Sequence, residues 1–567
     1  MLSKIFAECL DCGHKFDFSP TTLTCPNCAG QWLEARYDYQ NIGHNLTARA
    51  AKLPFNLWRY KDVLPVKGFN QELFMGEGGT PLIHAVNLGM MLGCPNIYIK
   101  DERQGPTSSF KDRQAAVNIA SLKEAGITEM VLASTGNVAI AFSAYAARAG
   151  IKLWAFLTSL VPAEKMREVA IYGTQVVKVT ASYDQAKQLA AEFARQRNLY
   201  LERGARSIPS VEAMKTIAYE ISEQLREILG PTPISPFNDS LATPWRAPDW
   251  YFQAVSGGLG PLGVQKGFLE LHQMGLIDHN PSIAGIQTEG CAPMAHAWRQ
   301  NLEQAEPVRS PRTHIATLST GDPGRTYTIL RQRMNQNGGG IFESVSDKEA
   351  FRAMHILAKM EGISVEPAAA VAFAGLIKLV RAGQVKPTDV IVVNCTGHTM
   401  AIERTILSEG WARNVELPLE TPDTRQVATP QEGLLAALSR VTVDRYPRIA
   451  IVDDTPDARR LIRRILQSQG NYTIFEASDG YEAIQLAQKE LPDLIILDLM
   501  MPEIDGFSVL DSLKENPQTA PIPVIVVTAK ELTPGEKKRL DGQIQSLMQK
   551  GEFMSDELLD EVRALVK

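Results

Sequence analysis

The sequence predicts an α/β protein of several domains, and three observations carry that expectation. Strand-like apolar runs alternate with helix-period segments from Glu129 to Asn198 and again from Tyr251 to Asn394, the rhythm of parallel sheets joined by crossover helices. A further alternating series opens at Arg448, after a proline-bearing stretch. Two Cys-x-x-Cys pairs stand ahead of all of this, near residue 1. The expected division is a small cysteine knuckle over 1–35, a two-lobed body over 36–415, a linker over 416–446 and a doubly wound sheet over 447–567.

The first element is Cys9-Leu10-Asp11-Cys12 with Cys25-Pro26-Asn27-Cys28. Each pair forms a turn that aims two thiolates at one point, and two such turns complete a tetrahedral site suited to structural zinc. A segment this short builds little apolar core, so the metal is expected to do the folding work. Tyr37–Leu73 reads as an irregular approach segment, interrupted by Pro54 and Pro65.

The next element is the turn Pro106-Thr107-Ser108-Ser109, which delivers Phe110-Lys111-Asp112-Arg113 at the start of a helix. At a helix N-terminus the free N–H groups and the positive end of the dipole disfavour an ammonium, leaving the neutral amine a nucleophile needs. One such lysine is ordinarily a solvated charge. Its neighbours make the difference, because several apolar strands end in small-residue turns. Met130–Ala133 runs into Ser134-Thr135-Gly136-Asn137, Tyr251–Val255 into Ser256-Gly257-Gly258-Leu259-Gly260, and Val390–Asn394 into Cys395-Thr396-Gly397-His398. Backbone amides in such turns cradle anions. All are expected along the carboxyl edge of one sheet. Glu289 and Glu366 are the carboxylates expected nearest the cleft, while Lys215 and Arg113 are either phosphate contacts or surface charges. Gly230–Pro248 reads as a loop.

Past the linker, with its short amphipathic helix Leu434–Val441, the strands Arg448–Val452, Thr473–Ala477, Leu494–Leu499, Pro523–Val527 and Gln545–Gln549 suit a five-stranded sheet. Its carboxyl edge gathers Asp453, Asp454 and Asp498, with Thr528 and Lys550 at the two following strand ends. Three carboxylates at one edge hold a hard cation such as Mg²⁺.

Residues 1–415 resemble the threonine synthases, pyridoxal-phosphate enzymes of fold type II with a tryptophan-synthase-like fold. The resemblance rests on the cysteine pairs, Trp58-Arg59-Tyr60, Leu64-Pro65-Val66, Gly76-Glu77-Gly78-Gly79-Thr80-Pro81-Leu82, Ser109-Phe110-Lys111-Asp112-Arg113, Lys215-Thr216, Gly267-Phe268, Glu366-Pro367 and Thr396-Gly397-His398. It implies that Lys111 carries pyridoxal 5'-phosphate covalently, that Asn137 bonds the cofactor's 3-hydroxyl, that Ser256, Gly257, Gly258, Leu259 and Gly260 hold its phosphate, and that Thr396 meets the pyridine nitrogen. This chain departs from the family at Ser108, where glycine is usual, at Val138, where a hydroxyl residue is usual, and at Gly260, where asparagine is usual.

Residues 447–567 resemble the flavodoxin-like receiver domains of response regulators, with Met501-Pro502-Glu503-Ile504-Asp505-Gly506 after the acceptor aspartate. That implies phosphorylation at Asp498, metal binding by Asp453, Asp454 and Asp498, and sensing of the phosphoryl group by Thr528 and Lys550. Met548 stands where an aromatic switch residue is common, and Gly551 where proline follows the lysine.

The expected activity is conversion of O-phosphohomoserine and water to threonine and phosphate. Elimination or β-replacement on another amino acid and a non-catalytic signalling module are the alternatives. The expected partners are an amino-acid substrate, a sensor histidine kinase or other phosphodonor, and further copies of the chain. A formal charge of −6 opposes nonspecific nucleic-acid binding. No apolar run approaches the ~18 residues of a membrane span, and a cytoplasmic location is expected.

Overall fold

The computed structural model describes residues 5–134, 136–158, 161, 163–180, 183–230, 243–398, 446–469, 472–550 and 555–566. The chain divides into two compact units, Met1–Ala401 and Ile402–Lys567. The linker with its expected helix Leu434–Val441, and most of the proline-rich loop, lie outside the described residues.

In the first unit the knuckle is a three-stranded antiparallel sheet, with Ile5–Cys9 between Lys15–Asp17 and Leu33–Tyr37. Cys9 closes the first strand, and its N–H donates to the His14 carbonyl at 3.0 Å, folding the first cysteine turn back on itself. The Sγ atoms of Cys9, Cys12, Cys25 and Cys28 all lie within 4.8 Å of one another, a donor set that fits zinc. The apolar face of the knuckle is shared with the body: Ala7, Leu33, Ala35 and Tyr37 pack with Ile208. Cys25→Ser should therefore release the metal and expose residues 5–35 to protease, read by zinc content and limited proteolysis. Unchanged protection in a zinc-free protein would refute a folding role for the metal.

The body holds two sheets, where the sequence suggested one edge for all the loops. The larger runs in the order Gly340–Val345, Ser282–Thr288, Trp250–Ala254, Ile391–Cys395, Ile97–Asp101, Leu82–His84. All its pairs are parallel except the last. The smaller sheet is parallel, in the order Gln175–Val179, Lys152–Thr158, Glu129–Ser134, Tyr200–Leu201. The asparagine turn thus leaves the small sheet, whereas the glycine turn and the Thr396 turn leave the large one. Trp250–Ala254 and Ile391–Cys395 are almost wholly buried, as strands covered by helices on both faces must be.

Helix Ile208–Leu229 ties the lobes together, packing along helix Leu259–Gln273 and against helix Lys111–Glu124. The first contact is close. A Cβ at Gly267 would stand 2.6 Å from the Lys215 carbonyl oxygen, so no other residue fits there without moving the backbone. Lys215 itself is fully buried, paired with Glu212 at 2.6 Å and Glu270 at 2.9 Å, and Lys266 joins the same two acids. Tyr37 and Tyr39, at the knuckle's edge, donate to Glu212 and Glu270, each at 2.9 Å. Lys215 is therefore a core ion pair, neither a phosphate contact nor a surface charge.

The approach segment is more regular than its prolines suggested. It contains helix Tyr39–Ala50, whose N-cap Asp38 accepts from the Asn41 N–H, and a 3₁₀ turn at Leu57–Val63. Pro54 falls between these two elements and Pro65 after the second, so neither breaks them. Strand Gly340–Val345 and helices Pro293–Arg299 and Thr326–Gln336 were likewise not assigned from the sequence.

The second unit is a parallel five-stranded sheet in the order Thr473–Ala477, Arg448–Val452, Leu494–Leu497, Val524–Thr528, Ser546–Gln549. Five helices connect and cover these strands, beginning with Pro456–Gln469 and ending with Ser555–Leu565. This is the doubly wound arrangement expected.

Candidate active site

A cleft of about 490 Å³ opens where the loops of the two sheets meet, and Lys111, Asn137, Ser256, Gly258, Glu366 and Thr396 all line it. The lysine turn is stitched to the end of the last large-sheet strand by two backbone bonds. Phe110 N–H donates to Thr396 O at 3.0 Å, and His398 N–H donates to Ser108 O at 3.1 Å. Ser108 adopts φ 55°, the left-handed region where glycine costs less. Asp112 closes the turn from inside the helix, accepting from the Thr107 N–H at 2.9 Å and the Thr107 hydroxyl at 2.6 Å.

Lys111 opens helix Lys111–Glu124. Burial drives its ammonium from the ordinary 10.5 down to about 8, against the opposing charges of Glu202 and Glu366. Neutral amine is therefore abundant near pH 8. Uptake of pyridoxal phosphate by protein stripped of it should accelerate about tenfold per pH unit below 8 and level off above, followed by visible absorbance. A flat profile from pH 6 to 9 would contradict this assignment.

Arg113, two residues on, faces away from the cleft and is 1% exposed. Its guanidinium binds Glu102 and Glu220, with N···O distances of 2.6–2.7 Å, and Lys100 joins Glu220 at 2.7 Å. Arg113 anchors the lysine helix to the core and is not a phosphate contact.

Asn137 begins helix Asn137–Ala149. The Ser134 hydroxyl accepts from the Gly136 and Ala139 N–H groups at 3.0 and 3.1 Å, which shapes the turn before it. The Asn137 amide donates to Glu366 Oε1 at 2.8 Å and accepts from Lys165 Nζ at 2.7 Å, while Lys165 reaches Glu366 Oε2 at 3.2 Å. Glu366 is thus in the cleft as expected. Glu289 is exposed and does not line it.

Residues 256–258 lead into helix Leu259–Gln273, whose first turn has no side-chain cap, so its N–H groups are open to an anion. Gly258 has φ 90°, and a Cβ there would stand 2.5 Å from Thr326 Cγ2. The Ser256 and Thr320 hydroxyls bond each other at 2.6 Å on the rim. This bare backbone cradle, with a depressed lysine amine in the same cleft, fits pyridoxal phosphate: a phosphate seat and an amine for its aldehyde. Thr396 is 4% exposed at the cleft floor.

Sequence reasoning missed Glu202, Lys165, Arg203, Arg206 and the knuckle's Trp32. Glu202 follows the two-residue strand Tyr200–Leu201, accepts from the Ser210 hydroxyl at 2.7 Å, and has its carboxyl pushed up by burial. No motif marks these residues: Glu202, Arg203, Arg206 and Trp32 reach the cleft from short loops and turns, and Lys165 meets Asn137 and Glu366 from helix Ala163–Ile171.

In the second unit the carboxylates of Asp453, Asp454 and Asp498 lie within 4.8 Å of one another. Lys550 Nζ is 2.5 Å from Asp453 and 2.6 Å from Asp498, and its N–H donates to the Thr528 carbonyl at 2.7 Å. Burial alone would lower Lys550, but the two acids raise it overall. Burial raises Asp453. These donors suit Mg²⁺. Met548 is half-buried against the apolar cluster under the sheet, and Gly551 lies outside the described residues.

Residues 73–397 match the family model described as pyridoxal-phosphate dependent enzyme, and residues 449–563 match the response regulator receiver domain. Threonine synthase of Methanocaldococcus jannaschii is 33% identical over 393 residues, covering 69% of this chain and 91% of that protein. Threonine synthase of Methanosarcina acetivorans is 30% identical, covering 70% of this chain and 93% of that protein. Threonine synthase of Mycobacterium tuberculosis is 31% identical, covering 64% and 93%. With the lysine, the glycine cradle and the acidic edge of Asp453, Asp454 and Asp498 each in place, the chain belongs to the pyridoxal-phosphate dependent enzymes and carries a response regulator receiver domain.

Proposed function

We propose that the first unit converts O-phosphohomoserine and water to threonine and phosphate. What carries this reading is a cleft joining the Lys111 amine, the glycine cradle and Thr396, within a region similar to threonine synthases over nearly their whole length. When bound, pyridoxal phosphate supplies an electron sink for carbon acids. Residues 256–260 would hold its phosphate, Asn137 would bind its hydroxyl, and Thr396 would meet the ring nitrogen. As a free amine Lys111 would move protons at the substrate carbon, with Glu202 and Glu366 close enough to bias its charge.

The test is to mix purified protein with O-phosphohomoserine and measure phosphate and threonine together. Equal amounts support the reading, and phosphate without threonine favours elimination. One observation favours elimination or β-replacement on another amino acid: Val138 lines the cleft and offers no hydroxyl to a substrate carboxylate.

The receiver is proposed to take a phosphoryl group on Asp498 from a histidine kinase or small phosphodonor, with Mg²⁺ held by Asp453, Asp454 and Asp498. Thr528 and Lys550 sense the added charge. The expected coupling to turnover or to self-association is about 1–3 kcal/mol, roughly a 5- to 150-fold shift. Asp498→Ala should abolish the response to acetyl phosphate and Mg²⁺ while leaving cofactor absorbance intact. If wild type becomes phosphorylated while turnover and assembly stay fixed, the receiver is not a switch for this enzyme. No described helix is long and apolar enough to cross a membrane.

A further inference from the structure

The knuckle does more than pack on the body. Its Trp32 lines the catalytic cleft, and the arginines on that wall are held by knuckle residues. Arg325 pairs with Asp11, which lies between two of the cysteines. Arg203 donates to the Leu23 carbonyl at 3.1 Å and to Gln31 Oε1 at 2.9 Å, and Arg206 donates to the same Gln31 oxygen at 2.7 Å.

The two arginines on Gln31 differ from Lys187 and Arg325, which line the same cleft and are balanced by Asp184 and Asp11. Among the described residues Arg203 and Arg206 are bonded to neutral oxygens and to no carboxylate. One amide oxygen draws two guanidinium groups together, which costs Coulomb energy unless an anion joins them. Arg203 bears the sign of that cost. Burial first, and then the charge of Arg206, lower it from the usual arginine range, and Glu202 offsets this only partly. The cofactor's phosphate has its own seat on residues 256–260, so the arginine pair is left for a second anion.

We propose that Arg203 and Arg206, held together by Gln31 of the knuckle, form an anion site at the cleft mouth that receives the phosphate monoester of the substrate. A guanidinium fork matches phosphate oxygens two at a time, so a pair of forks suits a dianion better than a single carboxylate. The site gives the cysteine knuckle a place in substrate binding: any metal that rigidifies Cys25 to Cys28 also fixes Gln31, three residues on. Assignment of the anion as substrate phosphate rests on the phosphohomoserine reading above.

The test uses holoenzyme with inorganic phosphate as the probe, binding measured by calorimetry, alongside kinetics with O-phosphohomoserine. Gln31 and Arg206 are both exposed, so Gln31→Glu and Arg206→Gln should fold, verified by zinc content and visible absorbance. Wild type is expected to bind phosphate competitively with substrate. Both variants should bind it about 10- to 100-fold more weakly, the first by placing a carboxylate between the arginines, the second by removing a charged donor. KM should rise with little change in kcat. Phosphate affinity unchanged in both variants, or no phosphate binding to wild type, overturns the site. Weakened phosphate binding without any turnover of O-phosphohomoserine keeps the anion site and overturns the substrate reading alone.

Discussion

Lys111→Ala should lose the covalently held cofactor and its visible absorbance, with turnover falling roughly a thousandfold or more. The loss is chemical and not structural. Among the described residues Lys111 makes no side-chain hydrogen bond; it lies over the Phe110 ring at 4.1 Å and is followed by a helix anchored independently through Arg113. The thermal midpoint of the cofactor-free protein should therefore barely change. Borohydride that still fixed cofactor to the variant would show that another lysine carries it, and Lys165 would be the first to examine.

Glu220→Ala should do the reverse, leaving the reactive groups in place and undermining what holds them. Glu220 is fully buried and joins Arg113 at 2.6 Å to Lys100 at 2.7 Å. Removing it leaves an arginine with half its partners and a lysine with only neutral ones, at a cost of about 3–5 kcal/mol. Burial by itself would raise this carboxyl, but Arg113 and Lys100 hold it far below the ordinary glutamate range. Its contribution is complete above that range and is lost only as pH falls toward the depressed value. Urea unfolding at pH 7 should show the full loss. A change under ~1 kcal/mol would mean that Glu102, already bound to Arg113, suffices to balance it.

The alternating strands were legible because buried parallel strands leave long apolar runs, and each ended within a residue or two of its predicted place. The asparagine, glycine and Thr396 turns were legible for the same reason, since each directly follows such a strand, and the lysine turn was legible from its own small residues ahead of a helix. What stayed hidden follows from the physics of the other elements. The Tyr39–Ala50 helix has a polar, weakly patterned sequence that two later prolines overshadowed. Lys215 and Arg113 looked like surface charges because sequence does not show that Glu212, Glu270, Glu102 and Glu220 wait opposite them. Lys165, Glu202 and the Gln31 arginines join the cleft only through tertiary folding. That the cleft lies between two sheets was not readable either, because both lobes carry the same strand and helix rhythm.

The stitching of Ser108 and Phe110 to Thr396 and His398 sets an order of events during synthesis. The turn that aims Lys111 takes its bonding partners from nearly three hundred residues later, so the lysine cannot be seated until His398 has cleared the ribosome. The described bonds of this seat are then all available. At ~5–20 residues per second the 169 residues from Thr399 to Lys567 take roughly 8 to 34 s to appear. A nascent enzyme thus has time to acquire its cofactor before the domain proposed to regulate it exists.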